Sequence, residues 1–184
     1  MAEELQCTGV EFFELGRNLA DEGVTFQCQV RGRSMFPFLR DGDVIQVAPA
    51  NIEALRVGDI IFYRSGERML AHRVVGLGTT TEGKYARARG DAFLHEDPLV
   101  SETDLLGKVE LVSRPSCGSW HQIQLTEGWA RLLGDLVARS KVAHRSVRCL
   151  SRLRLRLEGG YKKLLQVGKD QRGGTTVDAE TQEL

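Results

Sequence analysis

From Val24 to about Leu125, short β-branched or aromatic runs alternate with Gly, Asp and Asn punctuation. Runs of this length suit strands joined by tight turns, and they leave little room for the helical crossovers of a parallel sheet. The segment therefore predicts a coiled β body, with strands over Val24–Val30, Val44–Val47, Asp59–Tyr63, Met69–Gly76, Tyr85–Arg89, Lys108–Ser113 and His121–Leu125. Asp41-Gly42-Asp43 and Val57-Gly58-Asp59 read as turns feeding strands, so their acids are given a structural role. At 184 residues the chain is long enough for one domain with a core and an appendage, and too short for two ordinary domains.

Within this body, Arg33-Ser34-Met35-Phe36-Pro37 follows Gly32 and sits between two strand-like runs. Gly32 tolerates backbone angles that other residues avoid, Pro37 fixes its own φ, and the residue before a proline is pushed towards extended geometry. Such a turn presents the Ser34 hydroxyl in one orientation. A plain turn serine is the simpler explanation when this segment stands alone. Two further segments add to it. His72 interrupts the β-like run Leu70–Val75, and Asp91 follows Gly90, with Asp97 further along the same segment. Serine, histidine and aspartate in this order supply a nucleophile, a general base and an orienting carboxylate. Asp91, at the end of a strand, is expected to orient His72, with Asp97 assisting from the following loop. His95 is read as an exposed loop residue.

The ordered set "RSMFP", "VGDIIFYR", "LAHRVVG", "ARGDAFLHED" and "LLGKVELV" resembles the successive boxes of the type I signal peptidases. It is closest to their archaeal and endoplasmic-reticulum-like branch, in which histidine replaces a lysine base. The resemblance covers roughly Val30 to Val112. It implies a serine endopeptidase with Ser34 as nucleophile, His72 as general base, and Asp91 and Asp97 as the acids of the last box. It also implies an extended peptide or protein precursor bound beside Met35, Phe36 and Pro37, with small side chains entering shallow pockets, and no metal or organic cofactor. Two departures bear on substrate preference. Arg33 and Phe36 replace a small or polar residue before the Ser-Met pair and an acid after it, and Ala92 and Phe93 replace the asparagines that often follow the Gly-Asp. A non-catalytic module that grips extended peptides on the same fold is the alternative. Self-cleavage of the SOS-repressor type is disfavoured, because those proteases carry a lysine where His72 stands.

Outside the boxes, Gly9 to Gly23 reads as an amphipathic helix with Val10 and Phe13 on one face, ended by Gly23. Its charges forbid insertion into a bilayer. The formal net charge of zero is a cancellation. Residues 1–127 carry 13 basic against 19 acidic side chains, residues 128–172 carry 12 against 3, and residues 173–184 carry none against 3. The fold class expected is thus mainly β. A signal-peptidase-like body over 24–126 follows the helix of 1–23 and precedes a basic amphipathic helical arm over 127–167 and a disordered tail over 168–184. Along the arm, Trp129, Leu132, Leu136, Leu150 and Leu153 run beside a stripe of Lys141, Arg145, Arg148 and Arg152. That pattern fits a helix docked on the body, and equally an interfacial helix making peripheral contact with an anionic membrane through 128–172. No reading motif for nucleic acid accompanies it.

The cysteines Cys7, Cys28, Cys117 and Cys149 are scattered without C-x-x-C spacing, against a zinc site or a dense disulfide framework. No leading apolar segment and no run near the ~18 to 20 apolar residues of a bilayer span is found. A reducing, cytoplasmic setting is the expectation.

Overall fold

A computed structural model describes residues 9–116, 118–125, 134, 136–138, 146 and 149. Apart from those isolated positions, the basic arm expected over 127–167 and the tail over 168–184 lie outside the described residues. So do Cys7 and Cys117.

The described body is mainly β, as the punctuated strand pattern requires. Helix α1, Gly9–Asp21, precedes strands β1 Phe26–Gln29, β2 Val44–Ala48, β3 Ile60–Ser65, β4 Arg68–Thr80, β5 Gly83–Arg89, β6 Val100–Ser101, β7 Leu105–Ser116 and β8 Ser119–Gln124. A short 3₁₀ turn, Ile52–Ala54, is capped by Asn51, whose side chain accepts from the Ala54 N–H. The seven expected strands correspond to β1–β5, β7 and β8. The two-residue β6 was not anticipated, and β4 and β7 extend beyond the expected bounds.

All eight strands join one antiparallel sheet in the order β1-β2-β7-β3-β4-β5-β6, with β8 pairing with β7 off this path. Alternate residues of β3 serve two apolar clusters, because successive side chains of a strand point to opposite faces. Ile60 and Phe62 join Phe13, Met35, Leu39, Ile45, Val47, Leu106, Val109 and Val112. Ile61 and Tyr63 join Ile52, Leu55, Val74, Ala86, Ala88, Val100 and Leu105. Each fully buried aliphatic side chain of this size contributes about 1.5–3 kcal/mol. Helix α1 closes the first cluster. Phe13 is buried, Phe12 makes edge contacts with Phe26 and Phe62, and Gly16 lets the helix approach Leu106.

Candidate active site

The alternation of strand faces decides which acid meets the histidine. His72 and Arg73 are neighbours on β4 and therefore project from opposite faces. On the next strand Arg89 pairs with Arg73. Counting on from Arg89, Asp91 returns to the Arg73 side and Gly90 to the His72 side. The contacts follow that geometry. Arg73 Nε and Nη2 donate to Asp91 Oδ1 and Oδ2 at 2.9 and 2.7 Å, a bidentate pair in which both residues are buried. Arg73 Nη1 also donates to the Gly58 carbonyl at 2.8 Å, and the guanidinium lies 4.7 Å over the Phe38 ring. A Cβ at Gly134 would meet Arg73 Nη1 at 2.7 Å, so the chain encloses the ion pair there as well.

Asp97, not Asp91, takes the imidazole. The loop after β5 folds back, with the Asp97 N–H donating to the Ala88 carbonyl at 2.9 Å. Its Oδ2 lies 2.6 Å from His72 Nδ1. This corrects the expectation that Asp91 orients His72, and the physical reason is the period of two along β4 and β5. With the Asp97 carboxylate accepting, Nδ1 is the donor, and in the neutral imidazole Nε2 is then the lone-pair acceptor. The His72 side chain is only 3 % exposed. Its Nε2 is buried and has no hydrogen-bond partner.

Tyr63 completes the group, and sequence reasoning missed it. Its hydroxyl donates to Asp97 Oδ2 at 2.8 Å and lies 3.5 Å from His72 Nδ1, with the two rings edge-on at 6.4 Å. Burial first, and then the Asp97 carboxylate, push the Tyr63 phenol well above its ordinary value. It therefore stays protonated as a donor. A signal was present. Ser65 pairs with Arg68 around the two-residue turn Gly66-Glu67, so Tyr63 pairs with Leu70 and sits diagonally from His72 on one face.

Ser34 arrives from the other cluster. Gly32 has φ +98° and donates its N–H to Asp41 Oδ1 at 2.8 Å. The Phe36 N–H donates to the Arg33 carbonyl, and the Phe38 and Leu39 N–H groups both donate to the Met35 carbonyl. Met35 and Leu39 anchor this turn in the core. Asp43 ties its far end to β7. Its carboxylate accepts from Arg114 Nε and Nη2 at 2.9 and 2.7 Å and from the Arg40 N–H at 2.8 Å. The Ala92 N–H donates to the Ser34 carbonyl at 2.8 Å, linking the serine turn to the Gly90 turn.

Gly90 is where the two sides meet. A Cβ placed on it would lie 2.9 Å from the Ser34 carbonyl oxygen, 3.0 Å from Phe93 Cδ2 and 3.1 Å from His72 Nε2. The Ser34 carbonyl and His72 Nε2 are therefore no more than about 6 Å apart. Only a residue without a side chain lets the serine turn, the Phe93 ring and the imidazole approach one another this closely.

Beside Ser34 opens a cavity of about 350 Å³. Phe12, Val30, Leu39, Phe62, Met69 and Ala71 give it an apolar wall, and Cys28 to Gly32 form one side. Of the three residues expected to bind substrate, Met35 lines this cavity, whereas Phe36 and Pro37 are not part of its wall. Met35 is also a core residue, 2 % exposed. Burial pushes the Cys28 thiol up to about 12, so it remains a neutral thiol. His95 is exposed. Among the described residues no cluster of His, Cys, Asp and Glu is arranged to hold a metal ion. Among them, too, no helix is long and apolar enough to cross a membrane. No family model, curated protein or solved structure matches the chain.

Proposed function

We propose that this protein is a serine endopeptidase of the signal peptidase type, hydrolysing a peptide bond in a peptide or protein precursor. Ser34 is the nucleophile, His72 the general base and Asp97 the orienting acid. Asp91 holds the scaffold through Arg73. One observation carries the reading. A buried imidazole has Nδ1 bound to Asp97, while its unpartnered Nε2 lies across Gly90 from the Ser34 carbonyl, where no side chain intervenes. An imidazole kept solely for packing has no need of a buried, unsatisfied acceptor, which costs about 1–3 kcal/mol.

In the reaction, Ser34 Oγ attacks the scissile carbonyl carbon as its proton passes to Nε2. The imidazolium that forms is stabilised by Asp97, whose carboxylate is in turn held by Tyr63. The C–N bond then breaks, Nε2 returns the proton to the leaving amine, and the acyl group remains on Ser34 as an ester. Water, deprotonated by Nε2, hydrolyses the ester and restores the serine. The amides at and next to Ser34 are the natural donors to the oxyanion, and such a donor is worth about 3 kcal/mol of barrier. Strand β1 ends the sheet and Cys28 to Gly32 border the cavity. An extended substrate added along that edge would lay its acyl half beside Ser34.

The test is cleavage of a proteome-derived peptide library by the purified protein, read by mass spectrometry. Cleavage at defined sites is expected, with loss in Ser34→Ala and in His72→Ala. Cleavage that survives in Ser34→Ala would refute the assignment.

A further inference from the structure

Phe93 stands at the reacting centre without a role in the mechanism above. Its N–H donates to the Gly90 carbonyl at 2.9 Å, which fixes its backbone in the turn after β5. The ring meets the His72 ring edge-on, with centroids 6.1 Å apart and planes at 88°. Its Cδ2 packs at Gly90 together with Nε2 and the Ser34 carbonyl. Yet Phe93 is 51 % exposed. A large apolar side chain is thus held against the catalytic nitrogen with about half its surface in water.

We infer that Phe93 is the specificity wall for the leaving half of the substrate, selecting a large apolar residue immediately after the scissile bond. This rests on the endopeptidase reading. The direction follows from where the proton must go. When the C–N bond breaks, Nε2 delivers its proton to the amine nitrogen, so that nitrogen must lie beside Nε2, and the residue that carries it must pass whatever flanks Nε2. The flanking group is the Phe93 ring. Ser34 borders the cavity, whereas neither His72 nor Phe93 lines it. The cavity therefore serves the acyl half, and Phe93 is left to the amine half. An apolar side chain laid on the exposed part of the ring removes both surfaces from water, and a polar or absent side chain does not. A contact of this size discriminates by about tenfold in kcat/KM.

The experiment compares wild type, Phe93→Ala and Phe93→Leu on the peptide library, scoring the residue that begins each released amine-side fragment. Wild type should favour Leu, Ile, Met and Phe over Ser, Gly and Asp by about tenfold. Phe93→Ala should level that preference, and Phe93→Leu should retain most of it. Wild-type cleavage that is indifferent to this position, or a preference unchanged in Phe93→Ala, would overturn the inference. A second arm needs no turnover. Peptides beginning with leucine or with serine are added to Ser34→Ala, and the His72 ring resonances are followed by NMR. The leucine peptide alone should shift them, and the shift should vanish when Phe93→Ala is added. Equal responses to the two peptides would overturn the inference. Binding of the leucine peptide by a wild type that cleaves nothing would instead refute the endopeptidase reading and leave the apolar wall standing.

Discussion

Asp91→Asn and Asp97→Asn should fail in different ways, because the two acids face different partners. Asp91→Asn leaves the Arg73 guanidinium buried without a counter-charge, with one amide oxygen in place of two carboxylate oxygens beside the Gly58 carbonyl and the Phe38 face. Breaking a buried pair by removing one charge costs about 3–5 kcal/mol. Against a total stability of roughly 5–15 kcal/mol that is a large fraction. At about 2–4 °C per kcal/mol for a chain of this size, the melting temperature should fall by roughly 6–20 °C. Asp97 is part-exposed, and the neutral amide of Asp97→Asn would no longer stabilise the imidazolium or hold the tautomer. Asp97→Asn should unfold near the wild-type midpoint while losing turnover by on the order of a thousandfold or more. Urea and thermal unfolding, paired with turnover of the folded fraction, separate the two. Replacing both members of the ion pair, Arg73→Met with Asp91→Leu, should recover most of the lost stability, since an apolar pair of similar volume has no charge to desolvate. A wild-type midpoint for Asp91→Asn, with a greater loss of turnover than in Asp97→Asn, would refute the division of roles.

Ser34→Ala and His72→Ala should each abolish cleavage, with the double variant no slower than either single, because nucleophile and base act as one unit; additive losses in single-turnover assays would contradict this. Tyr63→Phe removes one donor to Asp97 and should lower kcat by about tenfold with KM within twofold, a split that steady-state kinetics read directly. Gly90→Ala should slow turnover more than it lowers stability, because its Cβ would press the Ser34 carbonyl at 2.9 Å and separate serine from imidazole; full activity with an unchanged fold would be the contrary result. Folded Cys28 titrates at about 12 instead of 9.0, so the folded state holds a proton that the unfolded chain releases. The sign follows directly: this contribution is complete below pH 9 and is lost as pH rises from about 9 towards 12, at no more than roughly 1.4 kcal/mol per pH unit. Unfolding curves of Cys28→Ala should accordingly show a shallower alkaline decline than wild type.

The strand pattern was legible because alternation and turn residues are local properties, and seven strands and the first helix follow from them. Ser34, His72 and Asp97 were singled out by the order of their motifs, and the structure puts Asp97 on His72 Nδ1. The partner of His72 was harder to read, because Asp91 and Asp97 sit in one loop and the choice between them depends on registry across strands. Asp91 looked better placed, being next to the strand end. The Arg73–Arg89 pairing turns it to the wrong face, and the hydrogen bond from Asp97 to Ala88 brings the more distant acid back. Tyr63 shows a related limit. Its meaning lies in the register around Gly66-Glu67, which no single motif contains. Met35, Phe36 and Pro37 were expected at the substrate through the resemblance, and of the three Met35 lines the cavity.

The same geometry bears on the choice between catalysis and mere peptide binding. A binding module built on this sheet would need its terminal strand and its apolar cavity, and both lie on the Ser34 side. It would have no use for His72 on the other face. Three features nonetheless converge on that histidine: the Asp97 carboxylate folded back from the loop, the Tyr63 hydroxyl donating to that carboxylate, and a glycine where any side chain would stand between Nε2 and the serine turn. Each has a cost. A charged group is partly buried, a phenol hydroxyl gives up its contact with water, and a strand end gives up its side-chain packing. Together they surround one buried nitrogen that has no hydrogen-bond partner. Structure that only grips a peptide gains nothing from such a nitrogen, whereas proton transfer between a hydroxyl and a leaving amine requires it. That asymmetry between the two faces is the strongest physical argument for hydrolysis over binding alone.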